Sequence, residues 1–188
     1  MGVDDLALGL SESGAHTVLI DGRSGSGKST LADELQAAWT FSTIVRLDAI
    51  YPGWDGLAWA VDHVHAELLQ PRSEGRTGRW RSWDWSSDAP SAWHDVDPAQ
   101  RLIVEGVGAL TPANRARADL GIWVETPDGE RKRRALLRDG DTYRPHWDRW
   151  AAQEEDFLAR YDPKSVADWV MTESPDATAW TWTPGSQW

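Results

Sequence analysis

The sequence predicts an α/β fold, a parallel β-sheet with helices on both faces. Two observations carry this. Apolar runs of four or five residues alternate with longer stretches whose apolar residues recur at helical spacing. The first of these runs also leads directly into a glycine-rich loop and then a helix. Thr17-Val18-Leu19-Ile20-Asp21 reads as the first strand, short and apolar enough to be buried on both faces. Ser29 to Trp39 follows as a helix with Leu31, Leu35 and Ala38 on one face, and Ile44-Val45-Arg46-Leu47 as the second strand. Leu57, Val61, Val64 and Leu68 predict an amphipathic helix over Gly56 to Gln70. Residues 71–98 mix Gly, Pro, Ser, Arg and Trp in no clear period and read as a long functional flap. Arg101-Leu102-Ile103-Val104-Glu105 is the third strand, closed by Gly106. Leu120-Gly121-Ile122-Trp123-Val124 is the fourth and Asp168-Trp169-Val170-Met171 the fifth. Helices are expected over 129–139 and 145–161. The residues before His16 read as a polar lead-in, and the tail from Ser174 as irregular.

Composition narrows the function classes. A chain of 188 residues suits one domain with a mobile flap. Hydrophobic residues at 40% and charged residues at 26% exclude wholesale disorder. With 30 acidic against 19 basic residues, the net charge of -11 speaks against a general nucleic-acid or anionic-membrane binder. The absence of cysteine removes disulfides, thiolate metal sites and cysteine nucleophiles. No apolar stretch reaches membrane-span length, and Met1 to Asp5 is not a signal-peptide start, so a soluble cytoplasmic protein is expected. Nothing speaks against a homo-oligomer. Tryptophan is unusually frequent, 14 against 3 Tyr and 2 Phe, with Trp80, Trp83, Trp85 and Trp93 inside the flap. These line an aromatic pocket, or tryptophan simply serves as the general core aromatic.

The loop after the first strand, Gly22-Arg23-Ser24-Gly25-Ser26-Gly27-Lys28-Ser29, fits G-x-x-x-x-G-K-[ST] in the strand–loop–helix context that gives the pattern meaning. Glycines let the backbone curl so that its N–H groups point at phosphate oxygens, and the helix N-terminus adds partial positive charge. Lys28 reaches the β and γ phosphates, Ser29 offers a hydroxyl to Mg²⁺, and Thr30 continues the first turn. Gly22, Ser24, Gly25, Ser26, Gly27, Lys28, Ser29 and Thr30 are thus the candidate nucleotide site of a P-loop protein. A guanine-reading N-K-x-D is absent, and Glu105-Gly106-Val107-Gly108 stands where a GTPase would show D-x-x-G. The length suits a small-molecule kinase.

Asp48 follows the second strand, at the end of the sheet where open α/β folds bind ligands, and is placed to accept the proton of an attacking hydroxyl. Glu105 ends the third strand, where an acidic group helps to hold Mg²⁺. Arg131, Arg134 and Arg138 share one helix face and, with Lys132 and Arg133, form the only dense basic cluster. They read as a lid over the phosphates, against the plainer alternative of a solvated face paired with Glu130, Asp139 and Asp141. His63 and His65 lie two apart on a helix and face different ways, so no zinc site is expected.

These residues resemble the uridine-kinase-like branch of P-loop nucleoside and small-metabolite kinases over roughly residues 17–172. Beyond the loop, Leu47-Asp48-Ala49-Ile50-Tyr51 is similar to the family's D-x-F-Y, Trp83-Asp84-Trp85 to its Tyr-Asp-Phe segment, and Val104-Glu105-Gly106 to its E-G-I. Val124-Glu125-Thr126-Pro127 leading into Arg134-Ala135-Leu136-Leu137-Arg138-Asp139 is similar to its V-D-T-P and lid helix. The resemblance implies a three-layer αβα fold with a five-stranded parallel sheet of order 2-3-1-4-5 and a helical lid over about 129–146. It implies γ-phosphoryl transfer from ATP with Mg²⁺ to a small-molecule hydroxyl. Asp48 would be the base, Lys28, Arg134 and Arg138 the phosphate contacts, and Ser29 and Glu105 the metal contacts. Tyr51, Trp54, Asp55, Arg81, Trp83, Asp84 and Trp85 would surround the acceptor. The chain departs from the family where pyrimidine is read: Asp88 stands at the histidine position, and Gly56 to Val61 replaces H-P-x-A-F-D. Two other readings stay open. One is a nucleotide-binding regulator without transfer. The other is a nucleoside-monophosphate kinase using Arg76, Arg79 and Arg81.

Overall fold

The computed structural model describes residues 2–173 and 180–185. The chain opens on helix α1 (Val3–Ser13), where the sequence reading expected only a polar lead-in. Its apolar stripe is narrow: Leu6, Ala7 and Leu10 are buried, while Asp4 and Asp5 sit in the first turn, where the helix dipole favours them. The small and acidic residues around it hid that stripe. Strand β1 (Thr17–Asp21), helix α2 (Lys28–Ala38) and strand β2 (Ser42–Arg46) follow as expected. Single 3₁₀ turns at Leu47–Ala49 and Gly53–Asp55 then lead to helix α3 (Leu57–His63). That helix runs through a π-helical segment, Val64–Leu69, into α4 (Gln70–Ser73).

The flap is more regular than its sequence suggests. It contains an antiparallel hairpin, β3 (Gly78–Asp84) and β4 (Ala89–Val96), with a register shift between Arg81 and Trp83. Nearly every β4 residue is exposed and most of β3 is half-buried, so no apolar alternation arises for a sequence reading to detect. Then come β5 (Arg101–Glu105), α5 (Pro112–Arg115), β6 (Leu120–Glu125) and α6 (Asp128–Tyr143). The chain continues through α7 (Trp147–Tyr161), α8 (Pro163–Val166), β7 (Trp169–Glu173) and β8 (Trp180–Pro184).

The main sheet runs β2-β5-β1-β6-β7-β8. Its first five strands are parallel and, with the hairpin set aside, have the expected order 2-3-1-4-5. The sheet is nevertheless six-stranded, because β8 pairs antiparallel with β7. Part of the tail expected to be irregular is therefore an edge strand, with Trp180 and Trp182 packed inward between exposed threonines. The rest of the tail, 174–179 and 186–188, lies outside the described residues.

Successive residues of β1 feed two cores. Val18 and Ile20 pack with Ile103, Ile122, Leu31, Leu35, Trp39 and the α1 leucines on one face. Leu19 packs with Leu102, Val104 and Trp123 on the other, under Leu57, Val61, Leu68, Trp150 and Phe157 from the helices there. With all five parallel strands pointing the same way, Asp21, Arg46, Glu105 and Glu125 come to one edge of the sheet. Among the described residues no helix is long and apolar enough to cross a membrane.

Candidate active site

The loop between β1 and α2 starts at that edge. A Cβ on Gly22 (φ 156°) would lie 2.5 Å from the Val124 carbonyl oxygen, and one on Gly25 (φ 80°) would lie 2.1 Å from the Arg131 carbonyl oxygen. Both positions therefore require glycine, for space as well as for dihedral angle. Gly27 caps α2, so the free N–H groups of that helix's first turn, Lys28, Ser29 and Thr30, open at the loop. The Ser26 carbonyl is held by the Thr126 hydroxyl at 2.9 Å. Lys28 is buried, with Nζ 3.9 Å from Glu105 Oε1. Ser29 Oγ donates to the same oxygen at 3.1 Å. Arg46 Nη1 donates to the other Glu105 oxygen at 3.1 Å. Ser29 and Glu105, predicted as a pair of metal contacts, are thus in direct contact.

Beneath the loop, Asp21 is fully buried and accepts the backbone N–H groups of Gly22 (2.6 Å), Gly108 (3.1 Å) and Leu110 (2.8 Å). Burial pushes its carboxyl up to about 7, against the pull of those donors and of Lys28. It ties the segment after β5 to the glycine-rich loop.

A cavity of about 400 Å³ opens beside the loop. Ser24, Lys28, Asp48, Arg138, Asp139 and Thr142 supply its polar lining, and Tyr51, Trp54, Trp85, Tyr143 and Trp150 its aromatic wall. Asp48 reaches it from the 3₁₀ turn after β2. Trp85 Nε1 donates to the Asp48 carbonyl oxygen at 2.9 Å, so the hairpin is anchored to that turn. Tyr51 donates its hydroxyl to the Val107 carbonyl at 2.7 Å, and burial, with Asp48 and Asp21 nearby, raises its pKa well above the ordinary phenol value. Trp54 is the hub of the wall. It stacks on Tyr143 (ring centroids 5.3 Å) and on His146 (4.4 Å), and meets Trp85 edge-on at 5.1 Å. Arg138 is pinned by Asp139 through two hydrogen bonds of 2.7 and 2.8 Å.

Trp54 and Trp85 also wall a second groove of about 490 Å³, with Trp83, Asp55, Asp88 and Arg149. Arg149 grips Asp55 and holds its carboxyl below the usual range. Three predicted residues lie elsewhere. Asp84 accepts the hydroxyls of Ser86 (2.6 Å) and Ser87 (2.7 Å) in the hairpin turn, which hold its carboxyl down to about 2. Arg81 Nε bonds across the hairpin to the Ser91 carbonyl at 3.1 Å. Arg134 lies beside Gly27, with Nη1 4.0 Å from where a Cβ there would sit, but its guanidinium is occupied by Glu130 (2.7 Å) and Glu173. Arg76 and Arg79 pair with Glu74 and Glu67. His63 accepts the Arg81 backbone N–H and His65 meets Asn114.

Sequence reasoning missed Arg46, Tyr143, Trp150, Arg149 and Glu154. Only the last left a signal. Trp147, Trp150, Glu154 and Phe157 form the buried stripe of α7, and a carboxylate inside an apolar stripe is a functional mark.

No family model matches the chain, and no curated protein matches it. Solved structures do. A possible uridine kinase from Bacillus stearothermophilus superposes with a TM-score of 0.64 at 19% identity, over 89% of this chain and 96% of that one. A candidate fructose transport system kinase from Silicibacter sp. TM1040 gives 0.56 at 21% identity, over 86% and 96%. The phosphoribulokinase of Rhodobacter spheroides gives 0.53 at 18% identity, over 85% and 71%. The chain shares the α/β fold of these three structures. Within that fold, the loop at Gly22–Ser29 and the edge carrying Asp48 and Glu105 stand at the carboxyl ends of the parallel strands, where such sheets bind ligands.

Proposed function

We propose that the protein is an ATP- and Mg²⁺-dependent small-molecule kinase that moves the γ-phosphoryl group to a hydroxyl of a nucleoside or nucleoside-like metabolite. One observation carries the reading: Lys28 of the phosphate loop and Asp48 after β2 line one cavity with an aromatic wall. In this scheme the loop N–H groups and Lys28 hold the triphosphate. The acceptor's flat part lies against Trp54, Trp85 and Trp150, with its hydroxyl at Asp48. Asp48 takes the hydroxyl proton as the acceptor oxygen bonds to the γ-phosphorus and the bond to the β-phosphate oxygen breaks, leaving ADP. Arg138 faces the charge developing on the transferring group.

The donor set fits Mg²⁺. The Ser29 hydroxyl and the buried Glu105 carboxylate meet at 3.1 Å, and among the described residues no larger cluster of His, Asp or Glu competes. A small hard cation that keeps phosphate and water ligands needs no more from the protein. When bound, it would neutralise charge between the β and γ phosphates. The unphosphorylated acceptor is favoured because Arg76, Arg79 and Arg81 are engaged elsewhere and line neither cavity.

A coupled ADP-release assay with ATP and Mg²⁺ tests the reading, run against nucleosides, nucleoside monophosphates, sugars and amino-bearing metabolites. An acceptor that raises ADP release, and fails to do so with Lys28→Ala, supports it. A flat panel with tight ATP binding would transfer the weight to a nucleotide-binding regulator.

A further inference from the structure

The transfer scheme gives no part to Glu154, a carboxylate only 1% exposed beside the phosphate loop. Its two oxygens are used differently. Oε1 accepts two neutral donors, the Ser24 backbone N–H at 2.8 Å and the Trp150 indole N–H at 3.1 Å. Oε2 faces two guanidinium groups, Arg23 Nε at 3.0 Å and Arg131 Nη1 at 3.8 Å. These partners come from the loop, from lid helix α6 and from α7 itself. Arg131 also donates to the Ser24 carbonyl at 3.0 Å, so Ser24 is held at both of its backbone groups. Ser24 and Trp150 both line the cavity. Both neutral donors belong to residues of the cavity lining, so the carboxylate joins the loop to the aromatic wall as well as facing two guanidinium groups.

The geometry points to Glu154 as a positioning residue that holds Ser24 of the phosphate loop against Trp150 of the acceptor wall. It thereby sets the distance the phosphoryl group must cross. It touches no reacting atom and acts through Ser24 and Trp150. This inference rests on the kinase reading for its meaning, but its structural half can be measured independently.

Three variants separate positioning from charge balance. Glu154→Asp keeps the charge but withdraws the carboxylate by about 1.5 Å, one carbon–carbon bond. Glu154→Gln keeps the length and loses the charge. Arg23→Gln/Glu154→Gln removes the charge together with an opposite one. Calorimetry with Mg·AMP-PNP should give a Kd within about threefold of the parent in each. Amide exchange in the peptide containing Ser24 should rise about tenfold in Glu154→Asp and Glu154→Gln. With the acceptor found by the ADP-release panel, kcat should fall by about a hundredfold while KM for ATP stays nearly constant, as expected of a misplacement near 1 Å. The double variant should regain thermal stability lost in Glu154→Gln, but neither the slow exchange nor kcat. Parent-like exchange and kcat in Glu154→Asp, or their recovery in the double variant, would reduce Glu154 to a charge partner and overturn the proposal. If Glu154→Gln fails to fold, the other two variants still decide. If no acceptor is found, the exchange data decide alone, so failure of the kinase reading stays distinct from failure of this one.

Discussion

Asp48 stands on a 3₁₀ turn whose carbonyl is held by Trp85, and among the described residues its carboxylate makes no ion pair. Replacing it with asparagine keeps the shape and removes the charge, and with it the ability to take a proton. Asp48→Asn should lower turnover by about 10²- to 10⁴-fold and leave Mg·AMP-PNP binding intact. Steady-state kinetics beside calorimetry checks this, and undiminished turnover would remove Asp48 as the base. Asp21 makes a different kind of prediction. Its folded value of about 7 lies above the ordinary 3.8, so between those pH values the folded chain binds a proton that the unfolded chain has lost. Its contribution to stability is therefore complete below about pH 4 and is lost as pH rises through about 7. Asp21→Asn abolishes this titration while sacrificing hydrogen bonds worth about 1–3 kcal/mol. The parent's advantage over the variant should shrink across that interval, read from urea midpoints at a series of pH values; a constant gap would mean that Asp21 is ionised throughout. At this scale a local pattern in the sequence singled out the loop and Asp48 at a strand end, and the family resemblance added Tyr51 and Trp54; the structure brings Ser24 and Lys28 of the loop and these three residues to one cavity. Glu154 left only the mark of a carboxylate inside the apolar stripe of α7; its partner Ser24 lies 130 residues away, and that bond exists only because α7 crosses the loop.

Helix α6 carries its own test in two glycines. Gly129 lies in the first turn of α6 with open space where a Cβ would go. Gly129→Ala should stabilise the protein by about 0.4–1 kcal/mol by restricting the unfolded chain. Gly140 has equally open surroundings, but its backbone sits at φ 53°, ψ -129°, and breaks the helix there. Gly140→Ala should destabilise by about 1–3 kcal/mol, from backbone strain alone. Opposite shifts in thermal midpoint confirm the kink as a built break; two shifts of the same sign would refute it. That break falls where the sequence reading ended the helix, at about 139. The parallel strands were legible because, buried on both faces, they are nearly continuous apolar runs. The β3–β4 hairpin, half-buried along β3 and exposed along β4, and α1, with its narrow stripe, offered no such contrast.

At the scale of the whole molecule, the sheet separates two cores that answer to different tasks. The core under α1 and α2 contributes no side chain to either cavity beyond Lys28 at the mouth of α2. The core under α3 and α7 includes Tyr51 and Trp150, which are also cavity wall. The loop at the start of α2 is fixed by Thr126, Arg131 and Glu154, none of which depends on α1. Damage to the first core should therefore cost stability alone. Leu10→Ala, at a buried position of α1, should destabilise by about 2–5 kcal/mol and leave the Kd for Mg·AMP-PNP within about threefold at temperatures well below the melt. Trp150→Ala should cost a similar about 3–5 kcal/mol and, in addition, abolish acceptor-stimulated ADP release, because it removes the cavity wall and one donor to Glu154 together. Denaturant midpoints and nucleotide titrations on the same samples separate the two effects. A tenfold loss of nucleotide affinity in Leu10→Ala would show instead that α1 reaches the phosphate loop through α2, and that the two faces act as one unit.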